Sequence, residues 1–343
     1  MEQNKKRVFI NLRPLIEDKQ SIIKMVLSLR NDGKTTGMKC AALESFYESG
    51  KAAVFCRRWR DSELSGEFYD TFLENVYTAR KSLLDGREPR IEGTQKKGRF
   101  LTVETESGRK KAISFESISM AGRHKSNYDW NTHRNIFIDE YIPLDGRYVK
   151  DEMTQILELY KTVDREHYDN YVMIAGNRIT RFNPVFQYFG VKQWHEGVNT
   201  YQNGRLRVLM YANAGNKELA KQSPFAELTA GTNYEQYNAG EFLQSMDQLI
   251  CPSHGRLRLF DIAHNGRTFS AFQADTNVVI DFAPRSDSLT CVCITPQAAA
   301  LSAVWLDAAK GVKSVLEKYK YTNHLYFASD AILYELTDFY KSI

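Results

Sequence analysis

Several things are scarce in this sequence, and each scarcity excludes a class of protein. Its five cysteines (Cys40, Cys56, Cys251, Cys291 and Cys293) are odd in number and scattered, with no C-x-x-C pair and no histidine at zinc-ligand spacing. That argues against a disulfide framework or a structural zinc site and for reduced, mostly buried thiols in a cytosolic protein. No apolar run approaches the roughly 18 residues that a membrane span needs. The charged start Met1-Glu-Gln-Asn-Lys-Lys-Arg7 is followed by no hydrophobic segment with a cleavage site. The expectation is a soluble cytoplasmic chain with no membrane partner. An excess of one charge is missing too: the formal net charge is only +4, too mild to prove a nucleic-acid partner and no argument against one. Repeats and low-complexity segments are absent. The later strands are followed by no Asn-Lys-x-Asp guanine motif, which disfavours a GTPase, and no second motor domain or helicase motif is recognisable.

What is present suits a larger globular protein. A chain of 343 residues, 43% hydrophobic and 26% charged, is long for one core. The pattern divides it into an α/β nucleotide-binding domain over 1–211, a small helical linker over 212–252 and a second α/β domain over 253–343.

The organising stretch is Lys24-Met-Val-Leu-Ser-Leu-Arg-Asn-Asp-Gly-Lys-Thr-Thr36. Met25, Val26 and Leu27 are the apolar run of a central strand. Thr36 to Ser49 carries a helical pattern (Met38, Ala41, Ala42, Phe46) stopped by Gly50. Between them lies a phosphate-loop pattern, G-x-x-x-x-G-K-[ST], with Ser28 in place of the first glycine. Such a loop turns backbone N–H groups toward one point at a helix N-terminus, where the helix dipole favours negative charge. Ser28, Arg30, Asn31, Asp32, Gly33, Lys34, Thr35 and Thr36 then line the nucleotide. Lys34 reaches the β- and γ-phosphates and Thr35 presents its hydroxyl to Mg²⁺. The competing reading is a chance Gly-Lys-Thr in a surface turn.

A second anchor, Asn135-Ile-Phe-Ile-Asp-Glu140, ends a buried strand in two carboxylates. In a phosphate-loop NTPase the first, Asp139, orders Mg²⁺ and the second, Glu140, polarises the attacking water. Alone, the pattern is a common strand-to-turn transition; its weight comes from following the loop by about a hundred residues. The strand Ala52–Cys56 runs into Arg57-Arg58-Trp59-Arg60, at the sheet edge where open α/β sheets bind ligands, or equally a solvated basic turn. Gly66–Ser82 reads as helix. Residues 99–118 read as a hairpin around Glu106-Ser-Gly-Arg109, whose Lys96, Lys97, Arg99, Arg109, Lys110 and Lys111 are candidates for nucleic-acid phosphates or a solvated edge.

Asp151–Val163 reads as helix, Tyr171–Ala175 as a strand ending in Gly176-Asn177 near the γ-phosphate, and Leu206–Tyr211 as the last strand. Pro184 starts a short helix that Asn183 caps. Strands alternating with helices imply a parallel sheet. From Arg256 onward strands come in series (Leu257–Ile262, Phe269–Gln273, Asn277–Phe282, Leu289–Ile294), with a turn at Asn265-Gly266. Helices over Pro296–Lys318 and Ser329–Tyr340 follow.

In order and spacing these parts resemble the DNA-packaging ATPases of phi-29-like small tailed phages. The stretches that carry the likeness are Leu27–Lys39, Val54-Phe-Cys-Arg-Arg-Trp59, Lys125-Ser-Asn127, Ile136-Phe-Ile-Asp-Glu-Tyr141, Asn177 with Asn183-Pro-Val-Phe186, and Gly231-Thr-Asn-Tyr234. The resemblance implies an α/β phosphate-loop NTPase of the class with an additional strand and a catalytic glutamate, plus a degenerate RNase H-like C-terminal domain. It further implies an ATP- and Mg²⁺-dependent motor that drives double-stranded DNA into a preformed prohead, as a homomeric, pentameric ring at the portal vertex. Such a motor works in the host cytoplasm and is absent from the mature virion; in some relatives it also docks on a packaging RNA.

By residue, the resemblance assigns Lys34 and Thr35 to the phosphate loop, Asp139 to Mg²⁺, Glu140 to catalysis and Asn177 to coupling. It makes Arg165 an arginine finger and Lys125 a second cation, both supplied to the neighbouring subunit. Read without the family, Arg165 beside Glu166 is a surface salt-bridge residue. Asp261 and Asp281 are the only acids placed on C-terminal strands, so nuclease activity is not expected. A helicase, a nucleotide-dependent switch and a non-catalytic nucleotide-binding protein stand as alternatives.

Overall fold

The computed structural model describes residues 9–30, 32–59, 63–94, 98–121, 131–143, 148–149, 151–178, 183–191, 193–211, 224–230, 257–264, 266–294, 303–322 and 324–343. The chain divides into two compact units, 1–243 and 244–343.

A nine-stranded sheet organises the first unit, in the order β3-β4-β5-β2-β6-β7-β1-β9-β8. Its centre is parallel: β5 (Gly108–Ser117), β2 (Ala52–Arg57), β6 (His133–Ile138), β7 (Val172–Asn177), β1 (Ile23–Ser28) and β9 (Leu206–Tyr211). Strand β1 is buried at every position, and β2, β6 and β7 at all but one, as strands covered on both faces must be. Antiparallel partners close both edges. Strands β3 (Arg90–Thr94) and β4 (Gly98–Thr105) extend β5, and β8 (Gly197–Tyr201) pairs with β9. The expected hairpin is therefore part of a three-stranded ribbon. Strand β7 stands between β1 and β6, and this is the additional strand of the expected class.

Helix α1 (Arg13–Ile16) precedes β1, and α2 (Lys34–Ser49) follows it. The apolar face expected of α2, Met38, Ala41, Ala42 and Phe46, is buried against the sheet. Helix α3 (Gly66–Ala79), capped by the Ser65 hydroxyl, adds Phe72 to an edge-to-face cluster with Phe55 and Phe115, at centroid distances of 5.0 and 4.9 Å. Helices α4 (Ile118–Ala121), α5 (Glu152–Asp164) and α6 (Pro184–Phe189) complete the layers. Asn183 caps α6 as expected, its side-chain Oδ1 accepting from Phe186 N at 3.1 Å. Most of the stretch expected to be a linker lies outside the described residues, which hold only α7 (Pro224–Thr229) there.

The second unit is a six-stranded sheet ordered β14-β13-β10-β11-β12-β15. Strands β10 (Leu257–His264), β11 (Arg267–Ala274) and β12 (Asn277–Phe282) form an antiparallel meander. On one side β13 (Cys291–Cys293) and β14 (Val304–Trp305) run parallel to β10; on the other, β15 (Leu325–Phe327) runs parallel to β12. A third-second-first-fourth-fifth order with these directions is the RNase H-like arrangement. Cys291 and Cys293 are buried beside Ala263, small apolar residues as their alternation suggests.

Two helical expectations need correction. Helix α8 covers Lys310–Tyr321, because residues 304–305 are drawn into the sheet as β14, and residues 295–302 lie outside the described set. The terminal helix is two short ones, α9 (Asp330–Glu335) and α10 (Thr337–Ser342), broken at the buried Leu336.

Candidate active site

The C-terminal ends of β1, β6 and β7 converge on one cleft of about 410 Å³. The loop between β1 and α2 forms its floor. Gly33 is the N-cap of α2 at φ 79°, a left-handed conformation, and no side chain caps this helix. Its first N–H groups thus face the cleft. Asp32 shapes the loop: its carboxylate accepts from Leu29 N at 3.0 Å and its carbonyl from Ile10 N at 2.9 Å. Ser28, the departure from the glycine pattern, sits in the regular ladder between β7 and β9, in register with Asn177 and Tyr211. A serine costs nothing there, because no left-handed conformation is required at that position.

Lys34 is 7% exposed and turned back on the loop, donating to Leu29 O (2.6 Å), Ser28 Oγ (3.0 Å) and Ser28 O (3.4 Å). Burial lowers its pKa to about 8, with Asp32, Asp139 and Glu140 pulling the other way. A buried ammonium bonded to neutral acceptors beside a helix N-terminus that no side chain caps fits an anion. Beside it, Thr35 Oγ1 donates to Asp139 Oδ1 at 3.1 Å, joining two residues 104 positions apart. Asp139 is 1% exposed, and burial raises its pKa against the opposing pull of Arg57. Its neighbour Glu140 has a left-handed backbone and a side chain 54% exposed to the cleft. Asn177 and Arg30 line the same space, as does Thr36, whose hydroxyl also donates to Asn75 at 3.2 Å.

The basic cluster after β2 separates into two uses. Arg57 donates to Asp139 Oδ2 at 3.2 Å and to Glu140, and its Nε lies 3.4 Å from Glu63. Arg58 is structural, donating to Tyr141 O at 2.9 Å and pairing with Glu63 at 3.3 Å. Sequence reading left Arg57 out of the site because nothing in a run of three arginines tells which one turns inward. Phe9 was missed as well: its exposed ring lines the cleft over Gly33, where a Cβ would lie 2.4 Å from Phe9 Cδ1.

Other expected residues lie elsewhere. Arg165 caps the C-terminal end of α5 just before β7 and so sits at the opposite sheet edge from the cleft. Of the hairpin cations, Arg109 pairs with Glu104 at 3.1 Å, Arg99 lies over Tyr69 and Lys111 over Phe100, while Lys110 is exposed. Asn31, Lys96, Lys97 and Lys125 fall outside the described residues. In the second unit Asp261 is fully buried. Its carboxylate accepts from Arg258 Nε and Nη2 (2.9 and 2.7 Å), Ser270 Oγ (2.8 Å) and Ser286 N (2.7 Å). Asp281 accepts from Phe282 N at 2.7 Å.

The sequence profile of the family described as Podovirus DNA encapsidation protein (Gp16) matches residues 4–272. The chain belongs to that family. Its function is DNA packaging. The DNA packaging protein of Bacillus phage phi29 is 22% identical over 258 residues, covering 73% of this chain and 71% of that protein. That of Bacillus phage B103 is 20% identical over 234 residues, 67% of each. The fold is shared with the bacteriophage phi-29 viral genome packaging motor assembly at a TM-score of 0.65 and 18% identity, over 97% of this chain and 99% of that one. It is shared with the phi-28 gp11 DNA packaging motor at 0.63 and 18%, over 97% of both.

Proposed function

We propose that the cleft binds ATP with Mg²⁺ and that its hydrolysis drives double-stranded DNA into a preformed prohead. The observation that carries this reading is the Thr35–Asp139 hydrogen bond, which sets a hydroxyl and a buried carboxylate side by side, next to a phosphate-loop lysine. A hydroxyl and a carboxylate oxygen are the donors that a hard divalent cation takes. Bound there, Mg²⁺ would neutralise charge on the phosphates, held by Thr35 and Asp139.

The chain's own residues do the rest. Lys34 exchanges Leu29 and Ser28 for the β- and γ-phosphates, and the N–H groups of residues 33–36 cradle them. Glu140 accepts a proton from the water that attacks the γ-phosphorus. Arg57 holds both carboxylates in place, and Asn177 senses the terminal phosphate from the end of β7. Arg165 cannot serve its own cleft from the far edge of the sheet, so it acts as a finger in the neighbour's, together with Lys125. Such a cation is worth on the order of a thousandfold in rate.

The larger assembly follows from the likeness to packaging motors. Subunits form a homopentameric ring at the portal vertex in the host cytoplasm, and they leave before the virion matures. Residues 1–211 are the motor, 212–252 the linker, and 253–343 the unit that docks on the portal. That unit does not cut DNA: Asp261 is filled by four donors and is no metal ligand. Arg99, Arg109, Lys110 and Lys111 with Lys96 and Lys97 contact DNA phosphates, as a motor that must move any sequence requires.

ATPase activity of the full chain, with proheads and double-stranded DNA, tests the reading. Glu140→Gln should bind ATP within about twofold of wild type and lose hydrolysis by about a hundredfold or more. Turnover that survives the substitution refutes the assignment. A wild-type chain that binds ATP without hydrolysing it, in the presence of both partners, refutes the motor and leaves a nucleotide-binding protein.

A further inference from the structure

We infer that Asp164 is the residue that positions the trans-acting arginine, by fixing the loop 165–169 in a shape it would not otherwise hold. This rests on the reading of Arg165 as a finger. The loop is unusual in its backbone. Arg165, Glu166 and Tyr168 are left-handed at φ 45, 68 and 58°, three non-glycine residues in four positions. All five side chains from Arg165 to Asp169 are exposed, between the buried Asp164 and Asn170. Exposed side chains cannot hold such a conformation through packing; Arg134 of β6 fastens Asp169 at the end of the loop, 3.3 Å from its carbonyl and 3.5 Å from its carboxylate, and the remaining restraint must come from within.

It comes from Asp164, which is 1% exposed. One carboxylate oxygen accepts from Tyr168 N at 3.0 Å. The other accepts from Asn170 N at 3.3 Å and Asn170 Nδ2 at 3.0 Å. Its carbonyl accepts from His167 N at 3.1 Å. A single buried side chain thus ties down the loop's far end and the start of the next strand.

The anchor is itself fixed. Asn170 Oδ1 accepts from Asn135 N at 3.4 Å, and Asn135 Nδ2 donates to Ser45 Oγ at 2.9 Å. Asn135 lies on β6, the strand that leads into Asp139, and Ser45 lies on the phosphate-loop helix. A chain of four buried polar residues therefore ties the arginine loop to two of the elements that build the same subunit's cleft. Ionised acceptors of backbone N–H groups make the strong members of such networks.

In rings of the full chain, assayed with proheads and double-stranded DNA, Asp164→Ala should lower ATPase activity about tenfold or more, with ATP affinity changed less than twofold. Asp164→Asn keeps an oxygen for Asn170 but cannot accept at both positions, so its loss should be smaller and its fold intact. The decisive measurement is mixing. Asp164→Ala subunits have sound clefts and a loose finger, whereas Glu140→Gln subunits have dead clefts and an ordered one. Mixed rings should therefore exceed either variant alone severalfold.

A merely structural defect would stay with the subunit that carries it, and mixing would recover nothing. That result overturns the inference, as do Asp164→Ala rings that match wild type while Arg165→Ala rings are inactive. If Arg165→Ala rings themselves match wild type, the finger reading falls first and the anchor with it.

Discussion

Arg57 lies 3.2 Å from Asp139, and in the described structure this guanidinium is the cation that faces the buried carboxylate. Asp139 follows β6, the strand next to β2 in the sheet, and is buried in the cleft wall, where Lys34 and Lys39 attract it without pairing with it. Breaking a buried pair by removing one partner costs about 3 kcal/mol or more, because the remaining charge is left uncompensated. Arg57→Ala should lower the thermal midpoint by several degrees in the absence of nucleotide and metal, and it should abolish turnover. Calorimetric unfolding of the two chains checks the first effect. Equal midpoints would show that the pair contributes nothing.

Lys34 gives a pH dependence with a definite sign. Burial lowers its pKa from 10.5 to about 8, so in the free protein it loses its proton as pH rises through about 8, while phosphate binding requires the charged form. Nucleotide affinity should be flat below about pH 7 and fall with rising pH above 8, approaching tenfold per unit before levelling at the pKa of the complex. Stability of the free protein moves oppositely. Between about 8 and 10.5 the unfolded chain binds the extra proton, so the penalty for burying this ammonium is present below 8 and relieved above it. Calorimetric titration in two buffers of different ionisation enthalpy should detect proton uptake on ATP binding at pH 8.5, and Lys34→Met should remove it.

Gly33 is constrained in two separable ways. A side chain there is strained by φ 79° and would press its Cβ against Phe9, 2.4 Å from the ring. Gly33→Ala should cost about 1–3 kcal/mol and weaken nucleotide binding. Pairing it with Phe9→Ala relieves the collision and leaves the backbone strain, so the double variant should recover part of the loss. A double-mutant cycle measures the share. Strict additivity would show that the ring and the glycine do not meet in solution.

DNA binding should weaken steeply with salt, since contacts to phosphate release counterions. Replacing Lys110 and Lys111 together by Ala should flatten the slope of log affinity against log salt by about two, equally for unrelated DNA sequences. An unchanged slope would assign that edge to solvent.

The parts of this fold that were legible in the sequence are those whose physics is local. Central parallel strands are buried on both faces, so Met25–Leu27, Ile136–Ile138 and Val172–Ala175 appear as unbroken apolar runs, and the polar residues that end them mark the cleft. Edge strands carry no such mark. β3 reads Arg-Ile-Glu-Gly-Thr, mostly exposed, and β8 reads Gly-Val-Asn-Thr-Tyr, with one buried residue. Phe9 was invisible because its contact with Gly33 spans 24 positions. Asp164, at a helix end beside Arg165 and Glu166, looks like one more surface charge until the fold closes over it.

Strand β7 has a consequence for a ring of such subunits. Its six residues span about 20 Å, with Asn177 at the tip beside the cleft and the Asp164 loop just before its foot. Buried along its length between β6 and β1, it behaves as a stiff strut rather than a spring. On the reading proposed above, with Arg165 reaching into the neighbour, whatever a terminal phosphate did to the tip would be delivered at the foot and so to the next subunit, and successive firing around the ring would need no hinge of its own.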